Sequence, residues 1–231
     1  MKLLLTSNGF IGSSLEKDFL DMTGGKTNLR VAFVPTASDP IEWVPESVDS
    51  KKYIAKIIGE NKFGASQEYL YFKNNGYDVV VADLKEYSDV LKEKLQNADI
   101  IYVCGGDVNY LLDWAKKSKL DTYLKNLLDR GVLYVGTSAG SGLLCPDIGL
   151  TWWEPGDPTD HTGLGIVDFI IVPHQKEGDA RSNTKNLIER KKYMQSVTDF
   201  PWKVYVLQDG QAIKIDDDKI EHIGQGMRKC L

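Results

Sequence analysis

The stretch Val132-Leu133-Tyr134-Val135 runs without a polar interruption into Gly136-Thr137-Ser138-Ala139-Gly140. An apolar, partly β-branched run of this kind reads as a strand buried on both faces. The Gly-x-Ser-x-Gly that follows reads as a sharp turn into a helix, the nucleophile-elbow pattern. Such a turn forces its central residue into a strained backbone conformation, and side chains two positions before and two after would clash. Gly136 and Gly140 remove those clashes. Ser138 Oγ then projects from the carboxyl end of a sheet at a helix N-terminus, where the dipole and the free Ala139 N–H favour negative charge. The same five residues would also suit a glycine-rich turn with an ordinary serine. The buried strand before them and Leu143-Leu144 after them favour the nucleophile.

A strand buried on both faces needs helices above and below it, and the rest of the chain supplies them. Lys2–Ser7, Arg30–Pro35, Asp78–Ala82 and Ala98–Val103 read as buried strands. Between them, Leu15, Phe19 and Leu20 suggest a helix over Ser13–Met22. Thr36–Pro45 reads as a loop, and Tyr53, Ile54, Ile57 and Ile58 fit one helical face. Tyr69, Leu70, Phe72 and Lys73 lie on a helix that stops at Asn75-Gly76. Leu84, Leu91 and Leu95 belong to a short helix. Leu111, Leu112 and Ala115 make another, and Leu120, Leu124, Leu127 and Leu128 a third. This alternation predicts an α/β fold with a mainly parallel sheet covered on both faces, whose sites lie beyond the carboxyl ends of the strands. After the elbow, Thr151–Gly165 is a polar and aromatic segment long enough to be a functional flap. Val167–Val172 is a buried strand delivering Pro173-His174, and Ala180–Ser196 is a helix. Lys203–Leu207, Ala212–Ile215 and Lys219–Ile223 are strands, read as an antiparallel meander closing one sheet edge around the turns Asp209-Gly210 and Asp216–Asp218.

With 231 residues, the chain is expected to form a single α/β domain over 1–231. A net charge of −5 makes nucleic acid and anionic membrane poor partners. Met1-Lys2-Leu3-Leu4-Leu5 is too short an apolar run for a signal peptide. Cys104, Cys145 and Cys230 form no metal pattern and read as reduced thiols of a cytoplasmic protein. No metal or other cofactor is implied.

A serine at neutral pH needs a base. His174, at the end of a buried strand, is preferred over His161 in the flap and His222 in the terminal hairpin. Standing alone it would read as a strand-end histidine capping a carbonyl; the elbow changes that. The base in turn needs an orienting carboxylate. Asp209 lies past the strand Lys203–Leu207 and also suits a hairpin turn. Glu154 lies in the flap and also suits a solvated loop acid. Asp209 is preferred because a strand end is held more rigidly than a flap. A tetrahedral intermediate needs two N–H donors. Ala139 supplies one, and the turn Gly105-Gly106 is the natural source of the other.

Gly105-Gly106-Asp107 before a helix, the elbow, Cys145-Pro146, Gly163-Leu164-Gly165-Ile166-Val167-Asp168-Phe169, Pro173-His174 and a late acid-Gly turn occur here in an order that resembles the peptidase E family of aspartyl dipeptidases, over about residues 1–224. The resemblance implies a class I glutamine-amidotransferase-like, flavodoxin-like fold with serine where those amidotransferases carry cysteine. It implies a cytoplasmic enzyme that needs no metal and removes N-terminal aspartate from dipeptides; the chain is expected to take a small peptide substrate as a monomer or homodimer. By position, Ser138 matches the nucleophile, His174 the base, Asp209 the acid, and Gly106 and Ala139 the oxyanion donors. Arg181 falls near the arginine that holds the substrate aspartate, with Arg190 and Arg130 less well placed. Asp107 stands where the family carries Asn, the loop from His174 to Arg181 is shorter, and a family acid aligns near Trp153, beside Glu154. The elbow wording also resembles cyanophycinase, a hydrolase of β-aspartyl-arginine units. A third reading is a non-catalytic small-molecule binding protein on the same fold.

Overall fold

Successive residues of a strand face opposite sides of a sheet, and Leu3-Leu4-Leu5 shows what that does here. Leu3 and Leu5 enter one apolar cluster and Leu4 another, and all three are fully buried. The structure, a computed structural model, describes residues 1–47, 50, 52–152, 161–176, 184–197 and 199–231. The chain begins β1 (Lys2–Thr6), α1 (Leu15–Met22), β2 (Arg30–Val34), β3 (Ile41–Pro45), β4 (Tyr53–Ile57), α2 (Gln67–Asn74) and β5 (Asp78–Val81). It continues α3 (Ser88–Gln96), β6 (Ile100–Val103), α4 (Val108–Lys117), α5 (Leu120–Asp129), β7 (Leu133–Thr137), α6 (Ala139–Gly142) and α7 (Gly149–Trp152). It ends β8 (Phe169–Val172), α8 (Thr184–Val197), β9 (Lys203–Val206), β10 (Gln211–Asp216), β11 (Lys219–Gly224) and β12 (Lys229–Cys230).

Seven strands form the main sheet in the order β11-β10-β1-β7-β6-β2-β5. The five from β1 to β5 in that order are parallel, and β10 and β11 add antiparallel at one edge. One face packs against α1 and α2 through rings: Phe10 stacks on Phe19 at 4.3 Å between centroids, and Phe33 on Tyr102 at 5.3 Å. The other face packs against leucines of α3, α4 and α5, and the same apolar cluster runs on into β8 and β9. Covering both faces explains why β7 carries no polar alternation: all five of its residues are buried.

Two expectations are corrected. Residues 53–58 do not form a helix, nor does 36–45 form a plain loop. After a 3-10 turn at Thr36–Ser38, β3 and β4 pair antiparallel as a two-stranded hairpin, with Glu42 opposite Lys56 and Val44 opposite Ile54. The spacing of the apolar residues at 53–58 fits a helical face, but the β-branched and aromatic side chains also suit a strand, and pairing with β3 decides it. The C-terminal strands are not one meander. β10 and β11 close the main sheet as expected, but β9 lies parallel to β8 and antiparallel to β12 in a separate three-stranded sheet. Val204 and Val206 are buried there against Ile170 and Val172. Asp209-Gly210 therefore connects two sheets and is not a hairpin turn. Of the expected flap, residues 153–160 lie outside the described residues. Among the described residues, no helix is long and apolar enough to cross a membrane.

Candidate active site

β1, β7 and β6 are parallel neighbours, so their carboxyl ends sit side by side. Ser138 follows β7 with φ 50° and ψ −105°, a conformation non-glycine residues rarely adopt. Its N–H donates to Thr6 O at 3.0 Å, and its carbonyl accepts from the N–H groups of Ser141 and Gly142. The glycines around it are needed for two different reasons. A Cβ on Gly136 would lie 2.7 Å from the Gly140 backbone, whereas one on Gly140 would lie 2.3 Å from Val103 O of the adjacent strand β6.

His174 stands two residues beyond β8, with φ 58°. Its Nε2 lies 2.8 Å from Ser138 Oγ and its Nδ1 lies 2.8 Å from Asp209 Oδ1. With the proton on Nδ1, the ring donates to the carboxylate and accepts from the serine hydroxyl. The carboxylate beside His174 is thus Asp209. Glu154 and Arg181 lie outside the described residues. The other two histidines sit elsewhere. His161 is buried, with its ring beside Gly149 and its carbonyl accepting from Ile148 N–H. His222 lies on β11 with Nε2 3.3 Å from Gln211 Oε1. Burial and the nearby Arg228 charge hold its pKa below the usual imidazole range. Arg130 caps α5 just before β7, at the amino end of the sheet and away from this site, and Arg190 lies within α8.

Gly105-Gly106 follows β6 and abuts the elbow. A Cβ on Gly105 would be 3.2 Å from that of Ser138. Gly106 has φ 143°, and a Cβ there would fall 1.8 Å from Ala37 O. Among the described residues, neither Gly106 N–H nor Ala139 N–H donates a backbone hydrogen bond. Asp107 then caps α4: its Oδ1 accepts from Tyr110 N–H at 2.8 Å, and its Oδ2 from Trp43 Nε1 at 2.9 Å. Asp and Asn cap equally well, so the departure from Asn leaves the turn intact. Gly106→Ala is expected to lower stability by about 2–4 kcal/mol, combining backbone strain with steric overlap. Gly131→Ala, at φ 94° with nothing within 4 Å of the added carbon, carries the strain alone and is the control. Thermal unfolding of the two variants checks the difference.

Two sets of residues at this site carry no motif. Ser7 Oγ donates to Asp209 Oδ1 at 2.9 Å and accepts from His174 N–H at 2.8 Å. Behind Gly106, the buried Asp39 carboxylate pairs with Lys85 and accepts from Asn61 Nδ2 at 2.7 Å and Tyr110 Oη at 2.9 Å. That cluster anchors the segment whose Ala37 O accepts from Asp107 N–H and whose Ser38 Oγ donates to Gly105 O. Neither buried cysteine competes as a nucleophile. Burial pushes the Cys104 thiol up to about 12, and Cys145 to about 12 as well.

A strained serine beside a histidine, at the carboxyl edge of a parallel sheet covered on both faces, is the layout of an α/β hydrolytic enzyme. The chain belongs to peptidase family S51, whose model matches residues 3–223. It is 30% identical over 161 residues to an uncharacterised peptidase of Pasteurella multocida, covering 68% of this chain and 70% of that protein. It is 31% identical over 156 residues to peptidase E of a Nostoc strain, covering 66% of this chain and 62% of that one. In fold it resembles the crystal structure of a candidate peptidase E from Listeria monocytogenes, with TM-score 0.68, 21% identity, and 97% and 98% of the two chains covered.

Proposed function

We propose that this peptidase is a cytoplasmic serine exopeptidase of the dipeptidase type, hydrolysing short peptides that begin with aspartate through an acyl-enzyme. The observation that carries the reading is the unbroken contact from Ser138 Oγ through the His174 ring to Asp209, with both separations at 2.8 Å. Ser138 Oγ attacks the scissile carbonyl as His174 Nε2 takes its proton. Asp209 holds the imidazole in the tautomer that can accept this proton and stabilises the imidazolium. The N–H groups of Gly106 and Ala139 hold the developing oxyanion. His174 then protonates the departing amine, and water, activated by the same base, releases the acyl group. Free thiols at Cys104, Cys145 and Cys230 suit a reducing compartment.

The aspartate preference rests on the resemblance and on Arg181. A guanidinium fork binds a carboxylate at two points, and leaving it unpaired penalises a neutral side chain. The test is a peptide panel of α-Asp-Xaa, β-Asp-Arg and Ala-Xaa dipeptides, run on the parent chain and on Arg181→Lys. The α-Asp peptides are expected to be cleaved best. The variant should lose ~10–100-fold in kcat/KM on them, about 1.4–2.8 kcal/mol, with little change on Ala-Xaa. Equal losses on both would remove the acidic-pocket reading. Preference for β-Asp-Arg would move the chain to the cyanophycinase-like reaction.

A further inference from the structure

The geometry points to Ser7 as a positioning residue that sets the acid and the base against each other through one hydroxyl. This rests on the roles given above to Ser138, His174 and Asp209. Ser7 directly follows β1 and is fully buried, and its own N–H donates to Gln211 O at 3.0 Å. Its hydroxyl is used in both directions: the proton goes to Asp209 Oδ1, and a lone pair takes His174 N–H.

The preceding residue completes the arrangement. Thr6 O accepts both Ser138 N–H at 3.0 Å and Ser141 Oγ at 2.8 Å. Two consecutive residues at the end of one central strand therefore touch the nucleophile's backbone, the base's backbone and the acid's side chain. Those three groups come from three separate connections, after β7, β8 and β9.

Asp209 needs such a constraint. Its side chain is 57% exposed and that of His174 is 46% exposed, so water competes for both, and an exposed polar contact alone orders little. Asp209 Oδ1 receives two donors, Ser7 Oγ and His174 Nδ1, and only one carboxylate position satisfies both. The backbone bond to Ser7 also holds His174 in its left-handed conformation. Without the hydroxyl, the acid can turn to solvent, and the imidazole loses the partner that fixes its tautomer. Small misplacements of a reacting group cost up to ~10² in rate.

The test compares Ser7→Ala, Asp209→Ala and the double variant in the full chain, using steady-state cleavage of an Asp-Xaa dipeptide. Ser7→Ala is expected to lower kcat ~10–100-fold with KM within ~3-fold of the parent. In the Asp209→Ala background the same change should cost less than ~3-fold, because the group it acts through is gone. Parent-like kcat in Ser7→Ala, or equal fold losses in both backgrounds, overturns the proposal; the second would make Ser7 ordinary structural support. If Ser7→Ala fails to fold, Ser7→Cys carries the same comparison, since its thiol is a weak donor that keeps the side chain. An Asp209→Ala enzyme of full activity would instead overturn the site assignment on which Ser7 depends.

Discussion

Ser138→Ala is expected to lose at least ~10³-fold in kcat while remaining folded. The attacking oxygen is removed, but the strand, the elbow and its glycines stay. His174→Ala should fall as far, because an unassisted serine hydroxyl is a poor nucleophile at neutral pH. The two changes disable one unit, so Ser138→Ala/His174→Ala should be scarcely slower than either alone. A companion variant separates chemistry from strain. Ser138 sits at φ 50°, where glycine is comfortable and alanine is not. Ser138→Gly should therefore be as inactive as Ser138→Ala but about 1 kcal/mol more stable. Steady-state rates and thermal unfolding of the four variants check all of this. Near-parental turnover in Ser138→Ala would end the serine-hydrolase assignment.

What the sequence revealed of this site depended on how far each constraint reaches along the chain. The elbow is legible because its demands are local: Gly136, Ser138 and Gly140 lie within five residues of one another, and their spacing reflects clashes within one turn and with one neighbouring strand. Gly105-Gly106 and His174 are legible for a related reason, since parallel sheets gather the ends of buried strands at one edge. The Ser7–Asp209 bond spans 202 positions, and no short pattern encodes it. Its one available signal is register. Thr6 pairs with Thr137, so the next residue on each strand, Ser7 and Ser138, must also be neighbours. The Asp39 cluster escapes notice for another reason. Its partners Asn61, Lys85 and Tyr110 come from three different segments and are ordinary surface residue types until the fold buries the carboxylate among them. The misread segments share a cause as well. Pairing partners, which local periodicity does not report, decide both that residues 53–57 form a strand and which sheet the correctly expected strand β9 joins.

Asp209→Asn is expected to cut kcat ~10²–10⁴-fold, the range set by which way the amide faces. If the asparagine oxygen takes the place of Oδ1, it can still accept from His174 Nδ1 and from Ser7 Oγ. Only the charge is then lost, and the cost lies at the low end. If the NH₂ faces the ring, Nδ1 must accept and the proton moves to Nε2, leaving no lone pair to receive the Ser138 proton. That arrangement lies at the high end. Ser7 biases the choice, because its hydroxyl proton points at the same position and an NH₂ there would leave it without an acceptor. The loss in Asp209→Asn should therefore be smaller than in Asp209→Asn/Ser7→Ala, where the amide is free to turn. Glu154→Gln should be milder than either and should act partly through KM. A crippled Glu154→Gln beside an active Asp209→Asn would reverse the assignment of the acid. Asp209 and His174 are both substantially exposed, so their mutual attraction is weakened by solvent. The aspartate's main contribution must then be orientation, and orientation is the property that an asparagine of the same shape preserves or destroys according to its flip.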